Sequence, residues 1–330
     1  MTGRAKEPSV LRRFFSPARS LSLLISGLIL FLILRRLDRA DLVQQLRHLR
    51  PLWFLTALAA FLVSSCLSAW RWHQMLRVTG SAISLGTSWR MTLIGHCFSA
   101  LFFGGAVSDL AKATLYSRWF GFPIPRLLAA SVLDRSTGAI STFLYGLLTL
   151  GYGLWTAPSI QWYRVEWPPV SRLVGAATLV LLVAAAVLYR LRTVWLPYWR
   201  RFRDEVWKAL QEMRGRVRLT LAAVAAGFCI QIMVSVILGC CLRAVAVASI
   251  PWAQLLWTFP VIGLMASVPV TISGAGAREG AAILLWTGFG IATTTAFSAS
   301  LLTLSVNLLW AGVGAVILWV MSHAHPKAAS

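Results

Sequence analysis

Apolar stretches long enough to cross a membrane recur along the chain and restrict its fold more than any other feature. Residues 52–70, 173–189 and 219–242 each run without a charged side chain. A helix of about 20 apolar residues spans the ~30 Å hydrocarbon core of a bilayer. Soluble domains carry about 25% charged residues, whereas this chain carries 12% and has a mean hydropathy of +0.72. The sequence therefore predicts an integral membrane protein.

The apolar stretches predict an all-α fold, a polytopic bundle of about 6–8 transmembrane helices. No segment between them is long enough for a soluble domain, so we expect a single transmembrane domain over residues 1–330. Residues 20–34 form a short first span with no cleavage site after it. Glycines interrupt residues 91–117, and prolines and glycines interrupt residues 252–290. We expect glycine-broken re-entrant segments at both places, with full spans as the alternative.

The distribution of basic residues predicts the topology. Residues 190–218 hold nine Lys and Arg against three acids. Cytoplasmic loops are rich in Lys and Arg, so we expect this segment to be a cytoplasmic loop. The same rule places the basic N-terminal residues 1–19 in the cytoplasm, and we expect the short tail, residues 322–330, to lie there too. On this topology, residues 91–117 must leave and return on one side of the membrane.

Composition and motifs argue against several classes of function. The basic residues that give the net charge of +21 flank apolar segments, where anionic lipid head groups favour them. We therefore expect no nucleic acid as a partner. The five cysteines lie in apolar runs without ligand spacing, and we predict neither a metal site nor a disulfide framework. No nucleophile elbow, HExxH, P-loop or paired carboxylate set occurs, so we predict no catalytic residue and no cofactor.

Charged residues within the apolar part of the chain are candidates for a functional site. A charge at the centre of a bilayer costs about 2.5–3.5 kcal/mol and is usually paired. Asp109 and Lys112 have i,i+3 spacing on one helical face, after a predicted backbone turn at Gly104 and Gly105. They form either an interfacial ion pair at a helix start or a head-group site that includes the backbone N–H groups at the glycines.

A second pair of candidates, Asp134 and Arg135, lies in the next apolar run. Adjacent residues do not face each other on a helix, so we expect different partners for the two. A lipid phosphate or Glu279 would suit Arg135. Arg278 or Lys112 would suit Asp134. A purely structural network of ion pairs is the alternative.

The glycine-rich stretch of residues 272–280 supplies the remaining candidates. Arg278 offers a planar fork that matches phosphate, and Glu279 follows it directly. Glycines allow the backbone to turn sharply and to approach a ligand, and we expect such turns at Gly274, Gly276 and Gly280. We expect this stretch and the charged residues of 109–135 to line one polar cavity.

Four elements carry a family resemblance. They are, in chain order, Arg71-Trp72, the glycine-rich turn before Asp109, Leu133-Asp134-Arg135, and Pro269 followed by Gly-Ala-Gly-Ala-Arg-Glu at residues 274–279. Together, and over nearly the whole chain, they resemble the flippase-like membrane family typified by the transmembrane part of bacterial lysylphosphatidylglycerol synthase. One element departs from the family pattern of Pro, Gly-Gly-Asp and a following Arg. Here Phe103, Val107-Ser108 and Lys112 stand at the corresponding positions.

The resemblance implies a helix bundle with re-entrant segments in the bacterial inner (cytoplasmic) membrane. The expected partner is a membrane lipid, an anionic phospholipid or a glycolipid. A homo-oligomer is compatible with the resemblance. The full synthase also has a soluble aminoacyl-transferase domain, and this chain ends soon after its last span. We therefore expect a lipid translocase without that activity. The alternative is a membrane-embedded enzyme or accessory subunit of lipid modification, which would align Asp134 or Glu279 with a substrate bond.

Overall fold

The computed structural model describes residues 47, 49–81, 83–101, 104–156, 192–245, 252–266 and 276–324. These residues form α-helices, and no strand occurs among them, which confirms the all-α prediction. The predicted spans at residues 20–34 and 173–189 lie outside the described residues. The helices, in chain order, are α1 (Pro51–Val78), α2 (Leu85–Leu101), α3 (Gly104–Phe120), α4 (Ile124–Thr156), α5 (Arg192–Arg214), α6 (Val217–Val245), α7 (Trp252–Leu255), α8 (Thr258–Ala266), α9 (Ala277–Thr287) and α10 (Thr293–Ala324).

Three described helices, α1, α6 and α10, are long and apolar enough to cross a membrane. Helices α1 and α6 run antiparallel, and the Arg50 N–H donates to the Ala244 carbonyl at 3.0 Å where α1 begins and α6 ends. Helix α10 runs alongside α1, with the Phe61 and Trp310 rings stacked at 5.7 Å. Burial of these apolar faces against one another forms the core that holds the polar sites in place.

Helices α2 and α3 form a hairpin that enters and returns at the same end of the bundle. The Tyr116 hydroxyl near the end of α3 donates to the Ser81 carbonyl just before α2, at 2.8 Å. This arrangement agrees with the re-entrant hairpin expected at residues 91–117, and its second helix continues to Phe120. Gly104 and Gly105 are the first residues of α3, so they begin a helix instead of forming the backbone turn that we predicted.

One end of the bundle collects the basic segments, and we call it the basic end. It contains the end of α1, the start of α4 and helix α5, and an ion pair joins Arg126 to Glu205 at 3.8 Å. Met321 near the end of α10 also packs there, against Trp72 and Met75. Within residues 190–218, which we expected to form a cytoplasmic loop, residues 192–214 form a helix.

Helix α4 turns an apolar face outward. Its exposed large side chains are aliphatic or aromatic and recur at helical spacing, at Ile140, Phe143, Leu147 and Leu148. An exposed apolar stripe of this size is typical of a surface that contacts lipid tails. The charged residues of the N-terminal half of α4 therefore lie close to a surface that fits the membrane interior.

Candidate functional site

The first charged cluster begins with a two-point ion pair between α1 and α4. Arg71 Nε lies 2.7 Å from Asp134 Oδ1, and Arg71 Nη2 lies 3.1 Å from Asp134 Oδ2. Two parallel N–H···O bonds fix both the distance and the orientation of the two groups. Helix α1 extends beyond the uncharged stretch of residues 52–70 to Val78, and Arg71 is buried within it. The Asp134 carboxylate offsets the cost of burying the Arg71 guanidinium because it neutralises the charge.

Asp109 connects the rest of the cluster. Its carboxylate accepts a hydrogen bond from Arg135 Nε and lies 3.5 Å from Lys112 Nζ. Lys112 also lies over the Trp72 ring, 4.0 Å from the centroid, where the ring face attracts a cation. Asp109, Lys112, Asp134 and Arg135 thus lie together with Arg71 at the meeting point of α1, α3 and α4, and we call these five residues the first cluster.

The backbone around the first cluster is shaped for close approach of charged side chains. An added Cβ at Gly138 would lie 3.1 Å from Arg71 Nη1, and one at Gly227 would lie 3.0 Å from the same atom. On the hairpin, Ser108 donates to the Gly95 carbonyl at 2.6 Å. These small residues of α2, α4 and α6 let the arginine fork and the hairpin pack deep within the bundle.

Exposure separates Arg135 from the other members of the first cluster. The Arg135 side chain is 56% exposed, whereas Arg71, Lys112 and Asp134 are largely enclosed. Arg135 has a single acidic partner in the described part of the chain, and its Nη groups have no hydrogen-bond partner there. An exposed guanidinium with donors to spare can bind a phosphate without first breaking a buried pair.

The second charged cluster consists of Arg278, Glu279, Ser300 and the backbone of Gly276. Gly276 has φ of +89° and precedes α9, and its N–H donates to Glu279 Oε2 at 2.6 Å. Arg278 Nη2 donates to Glu279 Oε1 at 2.6 Å, and Arg278 Nε reaches Ser300 Oγ at 3.2 Å. Both charged side chains are buried. These bonds join α9 to α10.

The glycines around the second cluster differ in conformation. Gly276 makes the expected turn, since a positive φ costs glycine little. The prediction for Gly280 is wrong, because it lies inside α9 and its N–H donates to the Gly276 carbonyl at 2.9 Å. Gly274 lies outside the described residues.

The two clusters do not line one cavity as expected. Arg71 of the first cluster lies against Gly227 of α6. The second cluster lies at the level of Cys241 of α6. The Cys241 thiol is hydrogen-bonded to the side chain of Thr303, which lies one turn beyond Ser300 on α10. These positions are about four turns apart on α6, which is roughly 20 Å. No hydrogen bond or ion pair joins the two clusters among the residues that the structure describes.

The expected partner choices also need correction. Asp134 pairs with Arg71 rather than with Arg278 or Lys112. Among the described residues Arg135 pairs with Asp109, not with Glu279. Sequence reasoning missed Arg71 as a site residue, although an arginine directly after an apolar stretch that has no other charge was a visible signal. In the described part of the chain, no group of three or more His, Cys, Asp or Glu side chains could hold a metal ion.

Comparison with known proteins agrees with this architecture. The profile of the family described as "Lysylphosphatidylglycerol synthase TM region" matches residues 19–315, which is most of the chain and includes all five residues of the first cluster. No curated protein matches the chain. The membrane-length helices and this match together make the chain a membrane protein that belongs to the lysylphosphatidylglycerol synthase transmembrane-region family.

Proposed function

We propose that this protein is a translocase for membrane lipids with an anionic head group, and that the first cluster binds the head group. The observation that carries the proposal is the exposed Arg135, attached to a network of buried charges beside the apolar outer face of α4. Family membership supports a role in lipid modification or transport, and the absence of a catalytic motif in the sequence favours transport.

The depth of the first cluster supports a role in moving a charge through the membrane. Asp109 and Arg135 each lie about three turns from the α3–α4 loop, which places them roughly 16 Å along their helices. Charges at such depth are costly and usually mark a substrate pathway. A polar station at this depth would lower the barrier that a lipid phosphate meets in the hydrocarbon core.

The contacts suggest separate roles for the members of the first cluster. Asp109 holds Arg135 in place when no lipid is bound, and a phosphate would take up the Nη donors that Asp109 leaves open. Lys112 adds positive charge from the buried side. The Arg71–Asp134 pair holds α1 against α4 and so fixes the shape of the site. In this arrangement we assign the Arg278–Glu279 pair to holding α9 on α10, since both side chains are buried and Nε and Nη2 of Arg278 are bonded to Ser300 and Glu279.

The positive-inside rule supports an orientation in the bacterial inner membrane with the basic end in the cytoplasm. Helix α5 lies at this end with an excess of basic residues, and the end of α10 lies close by. On this orientation the first cluster would be reached from the cytoplasmic leaflet.

The proposal is tested by leaflet exchange in proteoliposomes. Vesicles receive a fluorescent phosphatidylglycerol or phosphatidylcholine, a membrane-impermeant reductant removes the outer-leaflet signal, and the remaining decay reports exchange. We expect the anionic lipid to exchange about tenfold faster than the zwitterionic lipid, given the worth of hydrogen bonds between charged groups. Protein-free vesicles set the background.

Mass spectrometry of the extracted lipids separates transport from modification. Unchanged lipid masses together with rapid exchange agree with a translocase. A new lipid mass would point instead to the membrane-embedded enzyme, and exchange no faster than the protein-free background would refute the proposal.

A further inference from the structure

Arg243 is held in an aromatic cage at the end of the bundle opposite the basic end. Its Cζ lies 4.8 Å from the Trp53 ring centroid and 4.6 Å from the Trp252 ring centroid. The three residues come from α1, α6 and α7, so the cage depends on the tertiary fold. A guanidinium that lies over an indole face is held by the π electrons of the ring, which leaves its in-plane N–H groups able to donate to another acceptor.

The local packing is built to permit this cage. An added Cβ at Gly239, one turn before Arg243, would lie 2.8 Å from Trp252 Cζ3. The indole of Trp252 therefore occupies space that only glycine leaves open. This close fit holds the guanidinium in one orientation and removes much of the side-chain freedom that binding a ligand would otherwise cost.

The charge of Arg243 is not neutralised by a described neighbour. No carboxylate lies within ion-pair distance of it, and its side chain makes no hydrogen bond, in the part of the chain that the structure describes. The cage thus holds a half-buried cation with available donors.

We infer that Arg243 in its cage of Trp53 and Trp252 is a binding site for the phosphate of an anionic phospholipid in the leaflet at this end of the bundle. Tryptophan and arginine at the membrane interface are common at head-group level, which favours a lipid over a soluble anion. If the proposed translocase function holds, this site receives the head group in the leaflet opposite the first cluster. Arg243 lies more than four turns from Gly227 on α6, which is roughly 24 Å.

The site is tested by native mass spectrometry of the full chain carrying Arg135→Gln, which removes the proposed head-group contact of the first cluster. Phosphatidylglycerol is titrated onto this protein and onto the same protein with Arg243→Gln, with Arg203→Gln as the control for loss of an exposed arginine. We expect Arg243→Gln to weaken phosphatidylglycerol binding about tenfold, the worth of a hydrogen bond to a charged group. Arg203→Gln and the binding of phosphatidylcholine should not change.

A second variant keeps the inference testable if Arg243→Gln fails to fold. Gly239→Ala displaces the Trp252 indole but leaves the arginine, so we expect a smaller loss of phosphatidylglycerol binding and unchanged phosphatidylcholine binding. Equal phosphatidylglycerol affinity in the starting protein, Arg243→Gln and Gly239→Ala would overturn the site. Competition by millimolar inorganic phosphate would overturn its assignment to lipid.

Binding and transport fail separately. Loss of phosphatidylglycerol binding in Arg243→Gln supports the site even if the parent protein exchanges no lipid between leaflets. In that case the translocase proposal fails and the lipid site stands.

Discussion

At the scale of single residues, Arg71 shows how a charge survives within an apolar helix. Its fork meets both oxygens of Asp134, and the absence of side chains at Gly138 and Gly227 leaves room for the guanidinium. Because Asp134 pairs with Arg71, Asp109 is the acid that pairs with both Lys112 and Arg135. The pairing divides the charges between one enclosed, bidentate pair and one triad with an exposed member, so substitutions in the two parts should have different effects.

We predict that Asp134→Asn lowers the free energy of unfolding by about 3 kcal/mol, because it leaves the enclosed Arg71 without an ionised partner. The matched control is Asp204→Asn, which removes the acid from an exposed ion pair with Arg203 and should cost less than about 1 kcal/mol. Thermal unfolding in detergent, followed for both variants under identical conditions, measures the difference. Equal losses would mean that the Arg71–Asp134 pair is not buried as described.

Sequence reasoning identified four of the five residues of the first cluster, but it did not predict the partners of Asp134 and Arg135. The cost of burying charge identified Asp109, Lys112, Asp134 and Arg135 as a group. Which carboxylate meets which cation depends on how α1, α3 and α4 pack, and that information is not local. Arg71 was missed for the same reason, since an arginine after an apolar stretch is equally typical of the interface.

At the scale of helices, close approach between small residues positions the re-entrant hairpin. Gly314 of α10 faces α2, where an added Cβ would overlap the Leu93 carbonyl and lie 3.2 Å from Cys97 Cβ. Gly312, two residues earlier on the same helix, has nothing within 4 Å of such a position. Helix–helix contact at backbone distance is typical of membrane bundles, and here it places α2, and with it α3, against the rest of the fold.

We predict that Gly314→Ala destabilises the protein by about 1–3 kcal/mol, the usual cost of overpacking. Gly312→Ala should be neutral or stabilise α10 by up to about 1 kcal/mol, because alanine favours helix over glycine. Thermal unfolding of the two single variants gives the comparison. If Gly312→Ala proves the more harmful, α2 does not pack on the face of α10 assigned to it.

Helix positions were predictable to the extent that hydropathy alone determined them. Residues 219–242 were predicted as a span, and α6 covers Val217–Val245. The basic segment was interpreted from its charge alone, so its amphipathic pattern, which indicates the helix α5, was missed. The return of the hairpin was inferred from the charge topology together with the interrupting glycines, of which Gly104 and Gly105 begin α3.

At the scale of the whole molecule, the bundle has two chemically distinct ends. The basic end contains α5 and the α1–α2 and α3–α4 connections, and the opposite end contains Arg243 and the start of α10. Ala296 near that start packs in one core with Ala57 and Val245. The first and second clusters lie at different depths between these ends. Depth in the bundle depends on helix packing, so neither the charges nor their spacing in the sequence showed that the two clusters are separate.

This arrangement predicts the reactivity of single cysteines introduced into protein lacking the five native ones. Cysteines at Gln211 of α5 and at Gly86 of α2 should both resist a membrane-impermeant maleimide added to intact cells, because the basic end faces the cytoplasm on the orientation that we propose. A cysteine at Ala292, before α10, should react. Opposite results for Gln211 and Gly86 would contradict the fold, and reaction of both with protection of Ala292 would reverse the orientation.

In the proposed mechanism, the exposed arginine of the first cluster binds the head group of a transported lipid. The most direct test is the initial rate of phosphatidylglycerol exchange in proteoliposomes containing the parent protein, Arg135→Gln or Arg203→Gln. The control residue matches Arg135 in kind, since it is 64% exposed and also paired with one acid. We predict that Arg135→Gln slows exchange at least about tenfold while Arg203→Gln retains the parent rate. Equal rates in Arg135→Gln and the parent protein would contradict the account.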